Sequence, residues 1–308
     1  MIGRKLVDRL VADGRLGNTE LERLTLVDVV APEPPGAEAE AWAADLADPG
    51  AAGRVVEGRP DVIVHLAAVV SGEAEADFDK GYRVNLDGTR TLLETIRAAA
   101  YRPRVVLASS IAVFGAPLPT PIPEDFATLP LTSYGTQKAI DELLLADYSR
   151  RGFVDGVGIR LPTICIRPGA PNKAASGFFS NILREPLVGK EAVLPVPETV
   201  RHWHASPRSA VGFCLRAATV DTELIGPRRT LSMPGLSATV GEQIEALRRV
   251  GGEAAVRLIR HEPDPQIMEM VGNWAAALDA SRAERLGFVA ETSFDEIIRV
   301  HLEDELHR

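Results

Sequence analysis

Val105-Val106-Leu107-Ala108-Ser109-Ser110-Ile111-Ala112-Val113-Phe114-Gly115 runs out of an apolar strand into two adjacent hydroxyls. In a parallel sheet ligands gather beyond the carboxyl ends of the strands, which is where Ser109 and Ser110 then lie. Outward from this stretch, Val- and Ile-rich runs at 24–30, 61–67 and 157–166 read as further strands. Between them sit segments of helical period: a short one at Val55 and Val56, a long one over 82–100 with Leu92, Leu93 and Ile96 on one face, and another over 132–150. Strands alternating with helices make βαβ units, so the expected class is α/β with a Rossmann-type, doubly wound parallel sheet. The 31–40 segment, with three prolines, reads as a surface loop. After Arg167 the rhythm breaks at Pro168, Pro171, Pro186, Pro195 and Pro197, which marks a smaller C-terminal α+β part. Its pieces read as a helix at 207–218, a strand at 230–233, a helix at 240–249, a strand at 256–259 and a last helix at 294–305. Residues 1–167, with 205–233 returning to them, are expected to bind a dinucleotide, and 168–204 with 234–308 mainly the substrate.

The 308 residues are 45% hydrophobic and 25% charged, an ordinary composition for a globular protein with a real core. A formal net charge of -9 argues against nucleic acid or an anionic membrane as a partner, because the long-range field repels phosphate. An anionic substrate must then be met by locally placed Arg or Lys. The two cysteines, Cys165 and Cys214, have no CxxC spacing, so no disulfide framework or metal site is expected, and a reducing cytoplasm is the expected compartment. The longest apolar run, 62–70, is interrupted by His65 and falls far short of a bilayer span.

Met1-Ile2-Gly3-Arg4-Lys5-Leu6 opens directly into helical spacing at Leu6, Leu10 and Val11. In dinucleotide-binding folds a strand enters a glycine-rich turn, and the following helix holds the pyrophosphate on its free N–H groups. Gly3 fits the last glycine of such a turn, with the first strand and the earlier glycines expected upstream of Met1. Leu24-Thr25-Leu26-Val27-Asp28 is an apolar strand ending in an acid, suited to accept ribose hydroxyls and to repel a 2′-phosphate, which favours NAD over NADP. Asp45, followed by Leu46, is placed to meet the adenine. Leu66, Ala67 and Ala68, after a structural His65, let the backbone approach the cofactor.

Tyr134-Gly135-Thr136-Gln137-Lys138 sets a phenol and an ammonium four apart, on one face of the 132–150 helix. A free phenol with a pKa of ~10 is a poor base at neutral pH, and a neighbouring cation favours the phenolate that general base catalysis on an alcohol needs.

Acid-ended strand, HLAA at 65–68, NLDGT at 85–89, SSIAVFG at 109–115, YGTQK at 134–138 and RLPTI at 160–164 occur in an order that resembles the extended short-chain dehydrogenase/reductase superfamily, which also holds nucleotide-sugar epimerases and dehydratases. The likeness spans nearly the whole chain. It implies that Ser110 orients the substrate hydroxyl, Tyr134 is the acid/base, and Lys138 binds the nicotinamide ribose while favouring the phenolate. It further implies that Asn85 supports the lysine and that Pro162 and Thr163 lie against the nicotinamide.

The sugar-nucleotide members carry an Arg-Asp pair and then His-Val-x-Asp, where this chain reads His202-Trp203-His204-Ala205-Ser206-Pro207-Arg208. That segment, with 160–169, 171–179 and 68–78, is similar to the D-erythronate dehydrogenase branch. The resemblance implies oxidation of the C2 hydroxyl of a four-carbon sugar acid. Such a substrate needs a cation for its carboxylate, because an unpaired buried charge is expensive. Arg167, Lys173 and Arg208 are the candidates, with Ser71, Asn172, Ser176 and His204 as hydroxyl partners; Ser71 and Arg208 rank first, and Arg160 reads as a structural ion pair. A nucleotide-sugar epimerase or dehydratase and a non-catalytic cofactor-binding relative are the competing readings. A homodimer through the helices around 82–100 and 132–150 is the superfamily's expectation.

Overall fold

The computed structural model describes residues 1–36, 39–48, 50–169 and 176–307. Arg104–Ser110 lies inside a four-stranded, all-parallel sheet of order Thr230–Ser232, Asp155–Leu161, Arg104–Ser110, Val62–His65. Alternate residues go to opposite faces. Val106 joins Leu6, Leu10, Phe213 and Phe288, whereas Val105 and Leu107 join Leu92, Leu93, Ile96 and Leu145. The helices Ile2–Asp13 and Pro207–Thr219 cover the first face, and Gly88–Ala98 and Ser133–Arg150 the second. Burial on both sides is why the strand is apolar without alternation, and it makes the fold doubly wound.

Leu24–Asp28 pairs in parallel with Ala39–Ala43 as a separate two-stranded sheet. Among the described residues it has no other strand partner, and Val62–His65 pairs only with Arg104–Ser110. Both strands line one cleft. Among the described residues the two strands thus belong to different sheets.

Several boundaries differ from expectation for physical reasons. Ala39–Ala43 is a strand at the end of the expected 31–40 loop. The expected 157–166 strand is two, Asp155–Leu161 and Thr163–Ile164, in different sheets. Pro162 between them has no N–H to continue the ladder. The 82–100 helix begins as a π-helical turn, Tyr82–Asp87, before Gly88–Ala98, and a short helix, Glu253–Val256, delays the next strand to Ile259–His261. The 207–218, 240–249 and 294–305 helices form as Pro207–Thr219, Val240–Gly251 and Phe294–Glu305, each capped by a hydroxyl, from Ser206, Thr239 and Ser293.

The C-terminal half adds a three-stranded sheet of order Leu236–Thr239, Arg201–Ala205, Thr163–Ile164 and the helix Gly177–Leu187. Their shared core holds Phe179, Ile182, Leu247 and Ile297. Phe179 stacks on His202 at 5.1 Å and meets His204 edge-on at 4.8 Å. Burial holds both imidazoles neutral: it pulls His202 down to about 3, and His204 falls well below the usual histidine range through burial, His202 and Arg167. Burial, with Lys138 nearby, also takes His65 down to about 3.

These three groups bind protons in the unfolded chain below ~pH 6.5 and not in the folded one, so their stability is present above that pH and lost as pH falls. Asp141 acts oppositely, because burial pushes its carboxyl up to about 7 and the folded state holds that proton more tightly. Buried His301, also lowered by its burial, acts in the same direction as the other histidines, so the histidines outnumber the one opposing carboxyl and acidification favours the unfolded chain. Thermal melts at half-unit steps should show Tm falling steeply below pH 6; a flat Tm down to pH 4.5 contradicts the assignment of neutral buried histidines.

Candidate active site

Ser110 ends its strand and caps the turn Ile111–Val113, its Oγ accepting the Ala112 N–H at 3.1 Å. The hydroxyl proton remains free to be donated into the cleft. The helix Ser133–Arg150 starts against this turn. Thr132 caps it by accepting the Gly135 N–H at 3.0 Å, and a Cβ at Gly135 would lie 2.2 Å from the Ala112 carbonyl oxygen. Only glycine permits that approach, which brings Tyr134 and Lys138 into the same cleft wall as Ser110. Lys138 Nζ lies 6.0 Å from the Tyr134 ring centroid.

Behind them two neighbouring acids have different surroundings. Glu142 takes Arg160 Nε at 2.9 Å and Nη2 at 2.7 Å, and accepts the Ser109 hydroxyl at 2.5 Å. Arg160 is thus in an ion pair, and the Ser109 hydroxyl, expected at a cofactor-binding position beyond the strand end, is engaged by protein although the residue borders the cleft. Asp141 faces Lys138 Nζ at 3.8 Å. Asn85 is fully buried; it holds Val69 through both backbone groups, at 2.9 and 3.1 Å, and donates to Gln137 Oε1 at 2.7 Å. Its link to the lysine is thus through the residue preceding Lys138 on the helix.

At the other end of the cleft, Met1, Ile2, Gly3 and Arg4 form the start of the Ile2–Asp13 helix, whose first turn has no side-chain cap. Free N–H groups and the positive end of the helix dipole suit an anion there. A Cβ at Gly3 would sit 3.7 Å from Leu66, an ordinary contact, so packing within the chain does not demand glycine. Asp28 borders the cleft with no cation paired to it among the described residues; its Oδ1 accepts the Val29 N–H at 2.7 Å. Leu46, Leu66, Ala67, Ala68, Pro162 and Thr163 also line the cleft. Asp45 does not. It accepts the Ala47 N–H at 2.9 Å and pairs with Arg83 at 2.8 Å. Burial pushes its carboxyl up, but these bonds outweigh it and hold it below the usual carboxylate range. The expected adenine contact gives way to this ion pair.

On the substrate side, Ser71 lines the cleft at the start of the helix Ser71–Ala76. Arg167 is largely buried, donating from Nε to the Ile164 carbonyl at 3.0 Å and from Nη2 to Ser176 Oγ at 2.9 Å. No carboxylate pairs with it among the described residues, and burial lowers its pKa. Both Arg167 and Ser176 line the cleft. Arg208 does not: it is an exposed helix residue paired with Glu303 and Asp304 at 2.9 and 2.5 Å. The reason lies at the helix cap, since Ser206 and Pro207 turn the chain into a helix that carries Arg208 towards the C-terminal helix. His204 is likewise withdrawn, wholly buried and bonded to Gln243 Nε2 at 3.1 Å. His202, two residues earlier on the same strand, borders the cleft instead, 2.7 Å from Thr163 Oγ1. Asn172 and Lys173 lie outside the described residues. Sequence reasoning missed Thr132, Met270, Asn273 and Trp274 in the cleft wall. No spacing signal marks them, because the last three arrive from a distant segment. The cleft encloses about 2240 Å³, beyond the ~300–1,000 Å³ of ordinary small-molecule sites, and it runs between the Leu24–Asp28 and Val62–His65 strands.

The NAD dependent epimerase/dehydratase family matches residues 1–204. A D-erythronate dehydrogenase of Cupriavidus necator is 50% identical over 285 residues, 92% of this chain and 88% of the relative. The chain belongs to the NAD-dependent epimerase/dehydratase family. A D-erythronate dehydrogenase of Haemophilus influenzae is 40% identical over 99% of this chain and 96% of its own length. A UDP-glucose 4-epimerase of Mycolicibacterium smegmatis is 35% identical, but over 48% of this chain and 48% of its own. Among solved structures, one titled nucleoside-diphosphate-sugar epimerase, from Agrobacterium tumefaciens, is 69% identical with a TM-score of 0.97, covering 99% of this chain and 92% of that one. An L-threonine dehydrogenase of Cupriavidus necator, 22% identical at a TM-score of 0.85 over 99% and 96% of the two chains, shares the fold. The Rossmann-type sheet and the cofactor-binding family expected from the motifs are therefore both found.

Proposed function

We propose that the protein oxidises the C2 hydroxyl of D-erythronate to 2-dehydro-D-erythronate, using NAD. The observation that carries this reading is Arg167, a half-buried guanidinium in the cleft wall with no carboxylate paired to it among the described residues. A sugar-acid carboxylate supplies the missing anion, and the likeness to two D-erythronate dehydrogenases over most of the chain supports the same class. The donor set also fits the cofactor: an acid at Asp28, with no cation paired to it among the described residues, for ribose hydroxyls, open N–H groups at Gly3 for the pyrophosphate, and a buried ammonium at Lys138 for the second ribose. NAD, when bound, supplies the hydride acceptor.

The chain's own groups account for the remaining chemistry. The Ser110 hydroxyl orients the C2 oxygen, and Tyr134, as phenolate, takes its proton. Lys138 stabilises that phenolate by its charge. Arg167 fixes the carboxylate, with Ser71 and Ser176 placed for the other hydroxyls. Asn172 and Lys173 complete the proposed set from outside the described residues.

Purified protein offered D-erythronate and NAD should form NADH in stoichiometric amounts, followed at the nicotinamide absorbance band. The second reading, a nucleotide-sugar epimerase, is favoured by the Agrobacterium structure's title. Absence of NADH together with isomerisation of a UDP-sugar overturns the dehydrogenase reading in its favour. The cytoplasm remains the proposed compartment: Cys165 and Cys214 are buried thiols pushed up to about 12 by that burial, and no helix among the described residues is long and apolar enough to cross a membrane. A homodimer remains part of the proposal, with exposed Leu143 on the Ser133–Arg150 helix at its face; light scattering giving a monomer mass removes it.

A further inference from the structure

We propose that Asp141 is a positioning residue of the site, the counter-ion that keeps Lys138 charged and directed at the cleft. The inference rests on the dehydrogenase reading only where activity is measured. Lys138 is buried, and among the described residues Asp141 Oδ2, at 3.8 Å, is the carboxylate paired with it. A buried ammonium without a counter-ion gives up its proton, because burial favours the neutral form. A neutral lysine cannot stabilise a phenolate at Tyr134.

The contrast with Glu142, one residue on, separates this role from a purely structural one. Glu142 is saturated by Arg160 and Ser109 at hydrogen-bond distance. Asp141 is fully buried with Oδ1 unpartnered, and its other oxygen has two long contacts, Lys138 at 3.8 Å and the Thr89 hydroxyl at 3.5 Å. A pair held at that separation supplies charge without consuming the ammonium's hydrogens, which stay available to the cleft. Thr89 is itself fixed: it donates to the Asn85 carbonyl at 2.6 Å and meets His65 Nε2 at 2.9 Å. The groups facing Asp141 are therefore Lys138 and Glu142 from its own helix, Thr89 from Gly88–Ala98 and, behind Thr89, His65 from Val62–His65. His65 is neutral, pulled down to about 3 by burial, so the charges of the cluster are the ammonium, the two carboxyls and the Arg160 guanidinium paired with Glu142. Burial pushes the Asp141 carboxyl up to about 7, against the pull of Lys138 and Thr89. The counter-ion is thus complete only on the alkaline side of neutrality.

The test is Asp141→Asn, which keeps the shape and removes the charge. Competitive acetylation of the cofactor-free protein across pH, read on the Lys138 peptide by mass spectrometry, reports the lysine directly. The half-labelling pH of Lys138 should fall by at least about one unit in Asp141→Asn, a tenfold change in its protonation ratio, and Asp141→Glu should recover most of it. In turnover with D-erythronate, the alkaline limb of the kcat/KM profile should move down by a similar amount. If Asp141→Asn does not fold, Asp141→Ser, which also removes the charge, should shift the same midpoint in the same direction. Superimposable labelling curves for wild type and Asp141→Asn overturn the proposal. Wild type without NADH formation sinks the dehydrogenase reading and leaves the labelling result to decide Asp141.

Discussion

Tyr134→Phe should lower kcat/KM for D-erythronate by ~10²–10⁴-fold, the range associated with losing a positioned proton acceptor. The ring stays, so the helix start held by Gly135 against Ala112 and capped by Thr132 is untouched. What disappears is the oxygen that receives the C2 proton. Because Tyr134 is part-buried and no hydrogen bond to its hydroxyl is seen within the described protein, no other group is stranded by its removal. The loss should therefore fall on kcat, with the affinity for NAD, measured by titration, nearly unchanged. Steady-state kinetics showing less than a tenfold loss would remove Tyr134 from the role of base.

Arg167→Met should produce the second large effect. Truncating one member of a buried charge pair costs ~2–5 kcal/mol, or roughly 30-fold to several-thousand-fold in kcat/KM. The side chain also ties Ile164 and Ser176 together, so part of any loss could come from the wall itself. Two controls separate these contributions. Arg167→Lys keeps a charge near the same place and should recover part of the activity. A neutral four-carbon polyol, lacking the carboxylate, should lose little between wild type and Arg167→Met. Equal losses for acid and polyol would refute carboxylate recognition by Arg167.

The proposed catalytic group could be picked out because its information is local. Ser110 follows an apolar run at a strand end, and Tyr134 and Lys138 share a helix face by spacing alone. The acid at Asp28 and the small residues 66–68 were legible for the same reason: each sits at the carboxyl end of a strand, where a parallel sheet presents its loops. The choice among the proposed substrate cations could not be made this way. Arg167 and Arg208 look alike as sequence, since each follows a short apolar or polar turn near a proline. Only the direction of the Pro207–Thr219 helix sends Arg208 to Glu303 and Asp304, while the bonds to Ile164 and Ser176 hold Arg167 in the wall. His202 and His204 make the same point within one strand: both are buried, yet His202 borders the cleft and His204 is held inside by Gln243.

By itself the sequence determined the α/β class, the order of the main helices and strands and the family, and it picked out Ser110, Tyr134, Lys138 and Asp28 as the residues proposed for the site. Each of these depends on period, chain order or a strand end, all of which are properties of neighbouring residues. The tertiary structure decided which charges are available. Asp45, Arg160 and Arg208 are consumed by Arg83, Glu142 and the acids of the C-terminal helix. Arg167 faces the cleft with no carboxylate paired to it among the described residues, and Asp141 holds a long contact to Lys138. Charge pairing joins residues separated by tens of positions, and its strength depends on burial and ångström-scale distance, neither of which is encoded in spacing.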